Sequence, residues 1–145
     1  MIMNRFALAF IALVALCASA VAQVVTVKQF PEGPVTNNLT ASATGTTGAI
    51  AATLTGATGK YTYLCGFTVT SAGTTAAASG TITVTGTIGG TMSFIYVFVS
   101  SGQGVFGIAF PGCITSSAAN TSIVVNVPAG GAGTTVAATA WGYTN

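Results

Sequence analysis

Side chains able to do acid–base or metal chemistry are nearly absent from this chain of 145 residues. Beyond Ala22 there is no His, Asp or Arg, and Lys28, Glu32 and Lys60 are the only ionisable side chains besides Cys and Tyr. General acid–base catalysis needs a positioned proton carrier. A glycosidase-type carboxylate pair cannot be built from one Glu, nor a Ser-His-Asp triad without His and Asp. Abundant Ser and Thr have no base to activate them. Calcium sites want several carboxylates and zinc sites want Cys and His together. The expectation is a non-enzyme with no cofactor and no metal.

Four other features could still carry function. Cys65 and Cys113 form an even pair; in an exported chain that is most simply a disulfide, the alternative being two buried free thiols. Closing such a loop contributes roughly 4 kcal/mol on the chain-entropy model. Trp141 and Tyr143 alternate onto one strand face, as do Tyr61 and Tyr63. Amphipathic rings of this kind can form a ligand platform for sugars, or simply pack at a sheet edge. Thr81, Thr83, Thr85 and Thr87 form a row that could order water, although Thr suits the wet face of any strand. The run Pro128–Gly133 is glycine-rich but lacks the following helix and Lys of a phosphate cradle, so it reads as a turn.

The elements holding these residues begin with a leader. In residues 1–22, Arg5 precedes an unbroken apolar run from Phe6 to Leu16, and Ala20-Val21-Ala22 is a small-x-small cleavage site. This is a secretory signal peptide, with Gln23 as the mature N-terminus and residues 23–145 as one domain. The alternative, an uncleaved anchor, has an apolar run of at most about 17 residues, the short limit for a span. Without the leader, Lys28 and Lys60 against Glu32 leave a net charge of +1. That is no basic patch for nucleic acid, and no membrane contact is expected after cleavage. Charged residues are 3% and hydrophobic residues 51% of the whole chain, which excludes a disordered tail. So little charge favours association, and a homo-oligomer or larger surface assembly is expected, with glycans as a further candidate partner.

Strand signals dominate after the leader. Gln23–Phe30 is β-branched and is broken by Pro31-Glu32-Gly33-Pro34. Residues 39–47 and 49–55 read as weak, edge-like segments. In Tyr61–Thr70 a period of two places Tyr61, Tyr63, Cys65, Phe67 and Val69 on one face and Thr62, Thr68 and Thr70 on the other. Thr81–Ile88 alternates cleanly, with Ile82, Val84 and Ile88 opposite the Thr row. Thr91–Ser100 is apolar on both faces and is expected at a sheet centre or covered on both sides. Gly89-Gly90 between these two signals a hairpin. Val105–Phe110, stopped by Pro111-Gly112, and then Thr121–Val127 and Thr135–Tyr143 complete the set. Eight or nine short strands with no helical stretch predict an all-β fold, an antiparallel two-sheet sandwich of jelly-roll or immunoglobulin-like kind.

From Tyr61 onward, a little over half the chain, the sequence resembles a loose group of small, mostly uncharacterised proteins encoded in tailed-phage and prophage genomes. The matching pieces are Tyr61–Thr70 (YTYLCGFTVT), Phe110-Pro-Gly-Cys-Ile114, Ser117–Thr121 and Ala140-Trp-Gly-Tyr143. The resemblance implies an all-β virion-surface or exported protein. Together these readings give a secreted or extracytoplasmic structural or adhesion module. The alternatives are a phage decoration or fibre-tip protein in the virion, and a carbohydrate-binding module using Trp141 and Tyr143.

Overall fold

Without helical periodicity or caps, the β-branched and aromatic segments can satisfy their backbone only by pairing with one another. A computed structural model describes residues 37–73, 79–98 and 102–145. The expectations for the leader, for strand 23–30 and for the Pro-Gly break after it lie outside the described residues. Eight strands are formed: β1 (Asn38–Gly45), β2 (Ile50–Leu54), β3 (Thr62–Gly73), β4 (Gly80–Thr87), β5 (Gly90–Tyr96), β6 (Gly102–Thr115), β7 (Ile123–Val127) and β8 (Thr134–Thr144). They make two four-stranded antiparallel sheets, β1-β8-β3-β6 and β2-β7-β4-β5.

The pairings nest. β4 meets β5, β3 meets β6, β2 meets β7 and β1 meets β8, so the chain folds back on itself around the glycine turn at Ile88-Gly89 and the doubled ribbon rolls into a sandwich. Eight strands so nested form a jelly roll rather than an immunoglobulin-like sandwich. The turn follows from Gly90, whose φ of 84° a side chain would resist.

The inward residues of both sheets form one core. Leu64, Phe67, Val69, Val136, Ala138 and Ala140 come from the first sheet and Leu54, Ile82, Val84, Ile123, Val125 and Val127 from the second, all essentially inaccessible to water. Each large aliphatic or aromatic side chain so buried contributes about 1.5–3 kcal/mol relative to exposure. Phe67 is the hub: its ring meets Phe94 of β5 at 5.6 Å and Phe106 and Phe110 of β6 at 5.9 and 6.4 Å. The two sheets are also tied by a buried hydrogen bond of 2.8 Å between the Ser71 and Tyr96 hydroxyls. That bond needs Gly104, because a Cβ there would strike the Tyr96 hydroxyl.

Several sequence expectations are corrected. First, Tyr61, Tyr63, Cys65, Phe67 and Val69 do not share a face. The register slips at Cys65 against both β6 and β8, and the resulting bulge reverses the alternation: Phe67 and Val69 point into the core with Leu64, while Tyr63 and Cys65 are half-buried on the other side. Thr62 is buried rather than grouped with Thr68 and Thr70. A second bulge, between Val84 and Thr87, turns Thr87 inward and leaves Ile88 71% exposed. Its pivot is Gly86 at φ 84°, where a Cβ would collide with the Ser122 carbonyl. The Thr row therefore stops at Thr85. Second, the apolar run from Thr91 is no central strand. Its paired part, β5, forms the edge of its sheet, and Ile95 and the following Val97 stand 78% and 57% exposed. Third, Pro111-Gly112 does not stop the strand: β6 continues to Thr115, carrying the Pro in an irregular stretch.

Candidate functional site

The outer face of the β1-β8-β3-β6 sheet gathers the aromatic residues singled out in the sequence. On β8, Thr135, Ala137, Thr139, Trp141 and Tyr143 alternate with inward neighbours, all buried except the half-buried Gly142, and so face outward. Tyr143 is paired with Tyr63 of β3, and their rings stack at 4.6 Å with planes 8° apart. Trp141 lies opposite Gly66, over which its ring is seated; a Cβ at Gly66 would run into that ring. The bulge at Cys65 brings the small residue to this point. Tyr61, one step before β3 and 42% exposed, falls on the Tyr63 side by alternation.

This end of the sheet is held by several bonds. Tyr61 and Asn145 exchange backbone hydrogen bonds of 2.9 and 3.1 Å. The Ser116 hydroxyl accepts from the Thr62 amide at 3.0 Å, and the Thr62 hydroxyl donates to the Thr121 carbonyl at 2.8 Å. Asn120, in a left-handed conformation with φ 66°, accepts from the Gly59 amide through Oδ1 at 2.6 Å. Cys65 and Cys113 are bonded across the β3–β6 bulge, their Cα atoms 4.1 Å apart. Opposite Cys65 the β6 strand carries four residues, Phe110–Cys113, between the pairs Gly66–Ala109 and Leu64–Ile114. The disulfide closes the ladder where backbone pairing is interrupted.

Away from the aromatic end the same face becomes hydroxyl-rich. Ser42, Thr139 and Thr68 lie in one cross-strand row, and the Ser42 and Thr139 hydroxyls are 3.2 Å apart. The next rows hold Thr70 beside Ala137 and Val105, then Ala72 beside Thr135 and Gln103. These six residues line a shallow cavity of about 230 Å³. No sequence signal marks it, because it exists only through the register of three strands. No charged side chain lies in any of these rows.

The Tyr143 phenol is pushed above its ordinary value, first by burial and then by the neighbouring Tyr63. A raised folded-state value means that the folded form holds the proton more tightly, so this contribution is present below the ordinary Tyr range and is lost as pH rises through the folded value. Between pH 5 and 8 there is no His to titrate, and Glu32 is the single acidic side chain. The melting temperature is therefore expected to move by no more than a few degrees over pH 5–8 and to fall above about pH 10, where phenols ionise. Tyr143→Phe should shrink the alkaline fall. Melts across this range check both, and a steep change near neutrality would contradict the reading.

Compared with known proteins, this chain matches no family model and no curated protein.

Proposed function

We propose that this protein is a non-catalytic structural or adhesion module acting outside the cytoplasm at a cell or particle surface. The observation that carries the reading is a sheet edge that carries no charge and that no further strand covers among the described residues. Natural sheets protect their edges with Lys, Pro, bulges or a covering element. Of the four edges here, β6 is interrupted by its bulge and by Pro111, while β1 and β2 run close to each other. β5 has neither charge nor Pro in Gly90–Tyr96. Ile95 on this strand and Val97 just after it are both exposed apolar side chains. A disulfide fits an oxidising compartment. A virion decoration or fibre-tip role is a second reading, supported by the CGF…PGCI…AWGY resemblance and by the use of jelly rolls in capsids; capsid and tail genes beside this one would favour it.

Light scattering tests the assembly. Mature protein spanning 23–145 should associate at tens of micromolar, and Ile95→Lys with Val97→Lys should shift it towards monomer, since a charge on an edge strand opposes pairing. A monodisperse monomer before substitution would count against the reading.

A further inference from the structure

We infer that the outer face of the β1-β8-β3-β6 sheet is a binding site for an uncharged glycan, a short chain of sugar rings lying along β8 from Trp141 to the hollow at Ala137. This supplies the adhesion part of the function proposed above with a ligand class and rests on it to that extent. It uses the opposite sheet from the β5 edge, so the two can fail separately.

Three observations converge. The first is the platform. Trp141 and the Tyr63–Tyr143 stack are half-buried on a solvent-facing sheet surface, with Trp141 held over Gly66. Large rings fixed at their base by packing lose little entropy on binding, and their apolar faces suit the C–H faces of sugar rings.

The second is the distance and character of the hollow. Ala137 lies four residues from Trp141 on the same strand, about 13 Å away, longer than one sugar ring and suited to a short chain of them. The way between is set with Thr139, Ser42 and Thr68, and the hollow with Thr70, Gln103 and Thr135. Hydroxyls and an amide both donate and accept, as sugar hydroxyls do, while Ala137 and Val105 supply apolar surface beneath.

The third is charge. Sulfated, phosphorylated or uronic-acid chains are recognised through Arg and Lys, and the rows from Thr40–Trp141 to Thr135–Gln103 contain neither. The ligand class is therefore neutral.

The single Trp makes the test direct. Mature protein is titrated with maltohexaose, cellohexaose, mannohexaose and chitohexaose, and with hexagalacturonate as a charged counterpart, while Trp141 emission is followed. At least one neutral hexasaccharide should give a saturable change, with hexagalacturonate giving none. Thr70→Lys, at an exposed position in the hollow, should weaken binding about tenfold or more, equivalent to about 1.4 kcal/mol, without altering the melting temperature. Trp141→Ala, followed by calorimetry, should abolish binding. If no neutral hexasaccharide changes the emission at about 5 mM, a concentration that reveals even a millimolar Kd, or if Thr70→Lys binds as tightly as the parent, the inference is overturned. A protein that assembles through β5 yet ignores every glycan keeps the structural reading and loses this one.

Discussion

Cys65→Ser should destabilise the protein by about 2–5 kcal/mol, the usual cost of removing a native disulfide from a small domain. With the entropy of unfolding expected for about 100 residues, the melting temperature should fall by about 10 °C or more. Two contributions combine. The bond spans 48 residues of sequence, so its loss frees a long loop in the unfolded chain. In the folded chain it fastens Phe110–Cys113, the four residues of β6 set against Cys65 alone. Cys113 itself sits at φ 43°, a conformation few non-glycine residues adopt unaided. Melts of parent, Cys65→Ser, Cys113→Ser and the double variant, with the parent also reduced, check this. The three variants and the reduced parent should coincide; an unchanged midpoint would show that the bond does not hold the bulge.

Phe67→Ala should cost about 3–5 kcal/mol, because the site cannot collapse around the void. Phe67 is inaccessible to water, and its ring is packed by Phe94, Phe106 and Phe110 from strands of both sheets. Removing it leaves three rings without a common neighbour at the β5–β6 side of the sandwich. Phe67→Leu keeps most of the volume and should cost far less, about 1.5 kcal/mol. Urea unfolding of the two variants tests the difference. A loss below about 1 kcal/mol for the alanine variant would place the mechanical centre of the core elsewhere.

How far the fold could be read from sequence depended on whether the period of two ran unbroken. It did along β8, so the common face of Trp141 and Tyr143 was legible. It failed where a single residue was inserted. At Cys65 and at Thr85-Gly86 the bulges reverse the inward set, and nothing in YTYLCGFTVT or TITVTGTI announces the reversal. The apolar stretch around Phe94 was legible as something to be covered. Its place at an edge was not, because hydrophobicity alone does not separate cover by the same chain from cover by another molecule. Jelly roll and immunoglobulin-like topologies share their local signals and differ in which distant strands pair, as β1 does with β8. The candidate site shows the same boundary: its aromatic members were visible as residue types, but the hollow at Thr70, Gln103 and Thr135 depends on three strands meeting in register.

The nested pairing also orders the events of folding. The β4–β5 ribbon joins residues close in sequence, such as Val84 and Met92, whereas the outermost ribbon joins Asn38 to Tyr143. Closing the inner ribbon brings the next pair of strands nearer, so assembly is expected to proceed outward from the Ile88-Gly89 turn, each step shortening the search for the one after. A topology so rich in distant contacts is intrinsically slow. Because β8 separates β1 from β3, the first sheet cannot be completed until β8 has been synthesised. An emerging chain is thus kept from premature closure of the sandwich by its own topology.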